Sequence, residues 1–204
     1  MARIQNVDYE AIPAKASAMR SIGEQLNQEL AKIYQEITNL HNVWYGKRYH
    51  SLVTDFNAMI PQLNSMLELV IGEIPFTLET VANNYAKVDT GTTIVGANKT
   101  EPIKITDISI AADVGMRFLE SEVTTTQQSV SNSFDSAKQI MDSFEGVFRE
   151  VQWESEAADA FRSKFNQLKG SIVTSFENIN SDFVKLMQQA LDDMQSTESA
   201  NTIQ

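Results

Sequence analysis

The chain has 204 residues, 42% of them hydrophobic, enough to build a sizeable core in one domain or two small ones. Its 27 acidic residues outnumber 16 basic ones, and the resulting net charge of −11 argues against nucleic acid and anionic membrane surfaces as partners. With no cysteine there is no disulfide framework, thiol nucleophile or thiolate zinc site. The two histidines, His41 and His50, have no carboxylates that the sequence places beside them, so they read as surface residues and not as a metal site.

In chain order, Met1-Ala-Arg-Ile-Gln-Asn-Val-Asp8 has no apolar run of the signal-peptide kind. The general secretory route is therefore not expected, which leaves a leaderless one. No stretch of 18 apolar residues is present to span a membrane. Residues 1 to 12 are a lead-in, with Asp8 as a candidate cap and Pro13 suited to a first helical turn. Met19, Ile22, Leu26, Leu30, Ile33, Ile37, Leu40 and Trp44 then recur in steps of three or four, the spacing of one buried helix face. Gly46 offers a reversal, since glycine tolerates positive φ. Beyond it a second stripe runs through Leu52, Phe56, Met59, Leu63, Leu67, Val70, Ile74, Leu78, Val81 and Tyr85, interrupted by Pro61 and Pro75, each expected to bend or break the helix.

Residues 90–106 read as a linker, punctuated by Gly91, Gly96 and Pro102 and rich in β-branched residues. Ile94, Val95, Ile103 and Ile105 imply that it is partly docked. A third helix is expected from about Asp107, carrying Met116, Leu119, Val123, Val130, Ala137, Ile140, Phe144, Val147 and Val151, with a weak polar middle over 124–129. A fourth follows Trp153-Glu154-Ser155, and the polar tail from Ser196 is expected to fray.

Adding 109 to each apolar position of the second helix gives Phe161, Phe165, Leu168, Ile172, Phe176, Ile179, Phe183, Met187, Ala190 and Met194, the stripe of the fourth. The register is set independently by the two Trp residues, Trp44 and Trp153. The first and third helices align less well, and the second Trp turn differs by a residue or two in length. The chain is a duplicated helical hairpin, with the first copy over 1–89 and the second over 107–204. The predicted fold is all-α, two tandem hairpins packing as a four-helix bundle.

Trp44-Tyr45-Gly46 between two amphipathic helices resembles the WXG-one-hundred family, the small hairpins related to early secreted antigens and exported by the ESX, or type VII, machinery. Members often carry a Tyr and an acidic residue four apart past the second helix, and Tyr85 and Asp89 stand in that place. The second copy departs from the pattern. Ser155 replaces the Gly, and Met194 and Glu198 match Tyr85 and Asp89, so the acid is kept and the Tyr is lost. The resemblance puts an export signal on Tyr85 and Asp89 and makes the second copy a packing partner. The competing reading of Trp44 and Tyr85 is bundle packing alone.

Family members pair into four-helix bundles, so a fused pair implies a monomeric pseudo-dimer. A linker of 17 residues reaches roughly 56 Å when extended, just enough to run the length of a second helix of roughly 60 Å in an antiparallel pairing. The alternative is a homodimer of hairpins paired between chains. The expected function is that of a leaderless secreted substrate or accessory protein of a type VII-like system. Such a protein is made and held in the bacterial cytoplasm before export, and it is recognised by the export ATPase or by a co-secreted helical partner. The alternative is a cytoplasmic helical adaptor that binds a partner helix. No triad order, phosphate loop or metal spacing points to an enzyme or a cofactor, and without a basic helix face membrane insertion is not expected.

Overall fold

A computed structural model describes residues 7–110, 112 and 115–201; the first six residues of the lead-in and Thr202 of the tail lie outside them. Helix α1 spans Ile12–Asn39 and ends in a short 3-10 turn, Leu40–Asn42. Strand β1 is Trp44–Tyr45, α2 is Lys47–Leu67, and a π-helical turn, Glu68–Glu73, joins α2 to α3, Ile74–Thr90. After a long extended segment come β2, Arg117–Phe118, then α4, Glu120–Arg149, and α5, Glu156–Asn201. The fold is all-α, and its only sheet among the described residues is the two-residue β1–β2 ribbon.

The two hairpins pack on each other antiparallel within the one chain. Lys15 pairs with Glu150, and Ser129 Oγ donates to Glu36 at 2.5 Å, so α1 and α4 run in opposite directions along their shared face. Arg48 pairs with Asp193 at 3.0 Å and Lys164 with Glu73 at 2.8 Å, which orders α2 and α5 in the same way. Between them Ser171 Oγ donates to Gln62 Oε1 at 3.0 Å. These two residues are 109 positions apart, the same place in each copy, so the internal two-fold axis passes between them. Pro61 and Gly170, the weak point of each long helix, flank this crossing.

Every predicted core position of α2 and α3 from Leu52 to Leu78 is buried, as are Phe165, Ile172, Phe176, Ile179, Phe183 and Ala190 of α5. Phe134 of α4 stacks on Phe176, with centroids 4.4 Å apart, and Phe144 stacks on Phe165 at 5.2 Å. The first and third helices also repeat, but at an offset of 111. Ile12, Met19, Leu26, Leu30, Ile33, Ile37 and Leu40 map onto Val123, Val130, Ala137, Met141, Phe144, Phe148 and Val151, all buried. The second Trp turn is thus two residues shorter than the first.

Neither proline breaks the second helix. α2 continues through Pro61, and Pro75 falls in the first turn of α3 just after the π turn. The wider turn gives its ring room where a regular helix would set it against the carbonyl of Ile71. The tail is also more ordered than its composition predicts, with α5 helical to Asn201.

The third helix begins at Glu120, not near Asp107, so the linker runs over 91–119 and Met116 and Leu119 precede the helix. The reason lies on α2 and α3. Asn57 accepts from the Ile108 N–H and donates to its carbonyl, at 2.9 and 3.0 Å. Asn64 does the same to Ile105 at 2.9 and 2.8 Å, and Asn83 clasps Ile94 and Val95. Each amide side chain satisfies an extended backbone as a neighbouring strand would. Ile105 and Ile108 are buried against the bundle and Lys104 pairs with Glu68 at 2.6 Å, so the linker is strapped along the rod. Helix formation would forfeit all of these contacts. The weak polar middle of α4 is helical: Thr125 and Thr126 donate to the carbonyls of Ser121 and Glu122 one turn back, and Gln127 Nε2 donates across to Asn180 Oδ1 of α5 at 2.9 Å.

One buried acid ties the first hairpin together. Glu79 on α3 is 4% exposed and accepts two hydrogen bonds from Arg20 on α1, at 2.9 and 3.1 Å. Arg20→Met strands that carboxylate and is expected to lower unfolding stability by about 3 kcal/mol in denaturant titration. Adding Glu79→Met in the double variant should recover most of the loss, since the unpaired charge goes with it.

Candidate functional site

The site residues named by the sequence fall at the two ends of the bundle. At one end Trp44 is 1% exposed and stacks on Phe183 of α5 with centroids 5.7 Å apart. Phe118 meets its edge at 5.5 Å, and Tyr49 lies at 6.3 Å. β1 pairs antiparallel with β2, Trp44 opposite Phe118 and Tyr45 opposite Arg117. Tyr45 is half-exposed and its ring lies 5.8 Å from that of His41, while His50 sits one turn into α2. Gly46 caps α2 at φ 110° and ψ −173°, a conformation that L side chains rarely adopt. A Cβ there would also meet Met116 Cβ at 3.4 Å.

At the other end Trp153 is 5% exposed and forms an antiparallel bridge with Val7. Glu154 is exposed. Ser155 is not at positive φ; its Oγ accepts from the Ala158 N–H at 3.1 Å and caps α5. The replacement of Gly by Ser in the second copy therefore has a physical cause. Two residues fewer in the turn remove the left-handed step, and an N-capping hydroxyl takes its place. Arg162 holds this turn from the helix, lying 5.2 Å over the Phe148 ring with Nη2 3.4 Å from the Trp153 carbonyl.

Val7 and Phe118 are 111 apart, the offset of the first and third helices, and each pairs with the Trp of the opposite hairpin. Both Trp turns are thus closed by the segment that leads into the other copy. No motif in the sequence marks these segments, but the offset of 111 would have aligned them.

Tyr85 and Asp89 lie inside the last turns of α3 and not beyond it; Gly91, at φ 77°, ends the helix. Tyr85 is half-buried and Asp89 exposed. Tyr9 of the lead-in donates its hydroxyl to Asp89 Oδ2. That bond, with burial and the negative charges of Asp89 and Glu10, pushes the Tyr9 hydroxyl up to about 12. Since Val7 bridges Trp153, the Tyr85/Asp89 pair stands at the Trp153 end, a rod's length of roughly 60 Å from Trp44. Met194 and Glu198 stand at the far end of α5, beside the Trp44 turn. Trp44 and the Tyr85/Asp89 pair stand at opposite ends of the second helix, as their separation in sequence implies, and the antiparallel packing puts the second copy's turn with the first copy's pair.

Comparison with protein-family models, curated proteins and solved structures found no match. Among the described residues no helix is long and apolar enough to cross a membrane, and no three His, Cys, Asp or Glu side chains cluster to hold a metal ion.

The two turns should respond differently to substitution. Gly46→Ala is expected to cost about 1–2 kcal/mol of unfolding stability because of its φ. Ser155→Gly removes a cap but strains nothing and should cost less than about 1 kcal/mol. Thermal unfolding of the two variants against the parent chain checks the order.

Proposed function

We propose that this chain is a leaderless secreted substrate or accessory protein of a type VII-like export system, acting by protein–protein recognition. The reading rests on the Trp44-Tyr45-Gly46 turn between two amphipathic helices and on the Tyr85/Asp89 pair, which resemble the WXG-one-hundred family, and on the duplication of that hairpin. One observation carries it furthest: the Trp153 turn and the Tyr85/Asp89 pair share one end of the bundle. A recognition surface for the export ATPase or a co-secreted partner is then composite, with a turn from the second copy and a helix end from the first. That accounts for a second copy which has lost its Tyr but keeps a buried Trp. Tyr85 is half-buried and Asp89 exposed on successive turns of one helix face, so a partner can read both without unfolding the bundle.

Expression of the tagged chain in its native host, with and without the export ATPase, tests this. The parent chain should accumulate in the culture supernatant only when the ATPase is present, and Tyr85→Ala or Asp89→Ala should lower the supernatant level at least tenfold. Retention of the parent chain in the cell pellet of every strain would overturn the proposal in favour of a cytoplasmic adaptor.

A further inference from the structure

We propose that residues 7–11 are an autoinhibitory strap, latched by the hydrogen bond from Tyr9 to Asp89, which a cationic side chain of the export partner displaces. This rests on the reading of Tyr85 and Asp89 as the export signal. The strap is held at both sides of Tyr9. Val7 is bridged to Trp153, and Ile12 is 1% exposed in the core at the start of α1. Between them Asp8 accepts from the Ala11 N–H at 3.2 Å and turns the chain. Val7 and Tyr9 both pack against the core cluster, so the segment lies on the bundle end. Asp89 is thus engaged by the chain's own lead-in at the surface where a partner would bind.

The chemistry favours displacement by a cation. The Tyr9 hydroxyl, pushed up to about 12, keeps its proton across the physiological range, so pH does not open the latch. A neutral hydroxyl is a weaker partner for a carboxylate than a guanidinium or ammonium group. Asp89 also sits in the last turn of α3, where unpaired carbonyls add negative potential and draw a cation further. The repeat makes the latch specific to this end: at the offset of 111 Glu120 stands where Tyr9 does, and an ionised carboxylate cannot donate.

Pulse-chase export of the full chain in its native host separates the strap from the signal. Tyr9→Phe keeps the ring and removes the donor, and it should export faster than the parent, by roughly three- to tenfold for the loss of one solvent-exposed hydrogen bond. Asp89→Asn should be exported at a small fraction of the parent rate. In the purified Tyr9→Phe protein, amide exchange over 7–11 should quicken while that of the α1–α4 core stays unchanged. If Asp89→Asn blocks export and Tyr9→Phe matches or falls below the parent, the strap is overturned and the signal reading stands. If both variants export at the parent rate, the signal reading falls and takes the strap with it.

Discussion

Trp44 and Trp153 are each closed over by an extended segment that belongs to the opposite hairpin. The rest of the structure follows from this exchange. A single amphipathic hairpin leaves its apolar stripe open to water, and short of a partner it has too little core to hold its helices. Here the partner is the second copy, placed antiparallel, so that α1 packs along α4 and α2 along α5. The two long helices meet at Gln62 and Ser171, equivalent positions, as two-fold packing of a repeat requires. The seam is not fully symmetric. Lys164 and Glu73 form an ion pair, whereas their repeat equivalents, Asp55 and Asp182, are both acidic. The Asp55 carboxyl is accordingly raised, by partial burial and then by the charge of Asp182. The two copies share the apolar rows and differ in the polar seam.

Antiparallel closure sets the demand on the linker. It must carry the chain from the end of α3 back to the Trp44 turn, and an extended segment laid on a helix leaves its backbone polar groups to be satisfied by side chains. Asn57, Asn64 and Asn83 meet that need. The linker is therefore part of the fold and not a tether.

The helical rows, the duplication and the Trp turns were legible in the sequence because they rest on periodicity and on two rare residues; the antiparallel bundle within one chain was reached through the family resemblance and the reach of the linker. The start of the third helix was not. Met116, Leu119 and Val123 continue the spacing of a helical stripe, and nothing local says that Asn57 and Asn64, some fifty and forty positions earlier, hold 105–108 extended. The same blindness hid Tyr9. A phenol in a lead-in has no pattern around it, and its role appears only when the fold brings it to Asp89, 80 positions away. The Arg20–Glu79 pair is a third case, since a Glu on a helix of polar and apolar turns reads as surface until the neighbouring helix is placed. What the sequence encodes locally it shows; what two distant segments do together it shows only through the repeat.

The central claim is that one chain closes on itself, which brings the second Trp turn to the Tyr85/Asp89 end. The chain has no cysteine, so Val88→Cys and Glu154→Cys, both at exposed positions, can carry a pair of spin labels without background. A dipolar distance measurement on the doubly labelled chain, repeated with an excess of unlabelled chain, tests the claim directly. The account predicts a label separation well below the bundle length of roughly 60 Å, unchanged by the dilution. A separation near that length, or a short one that disappears on dilution, would place the pairing between chains and contradict it.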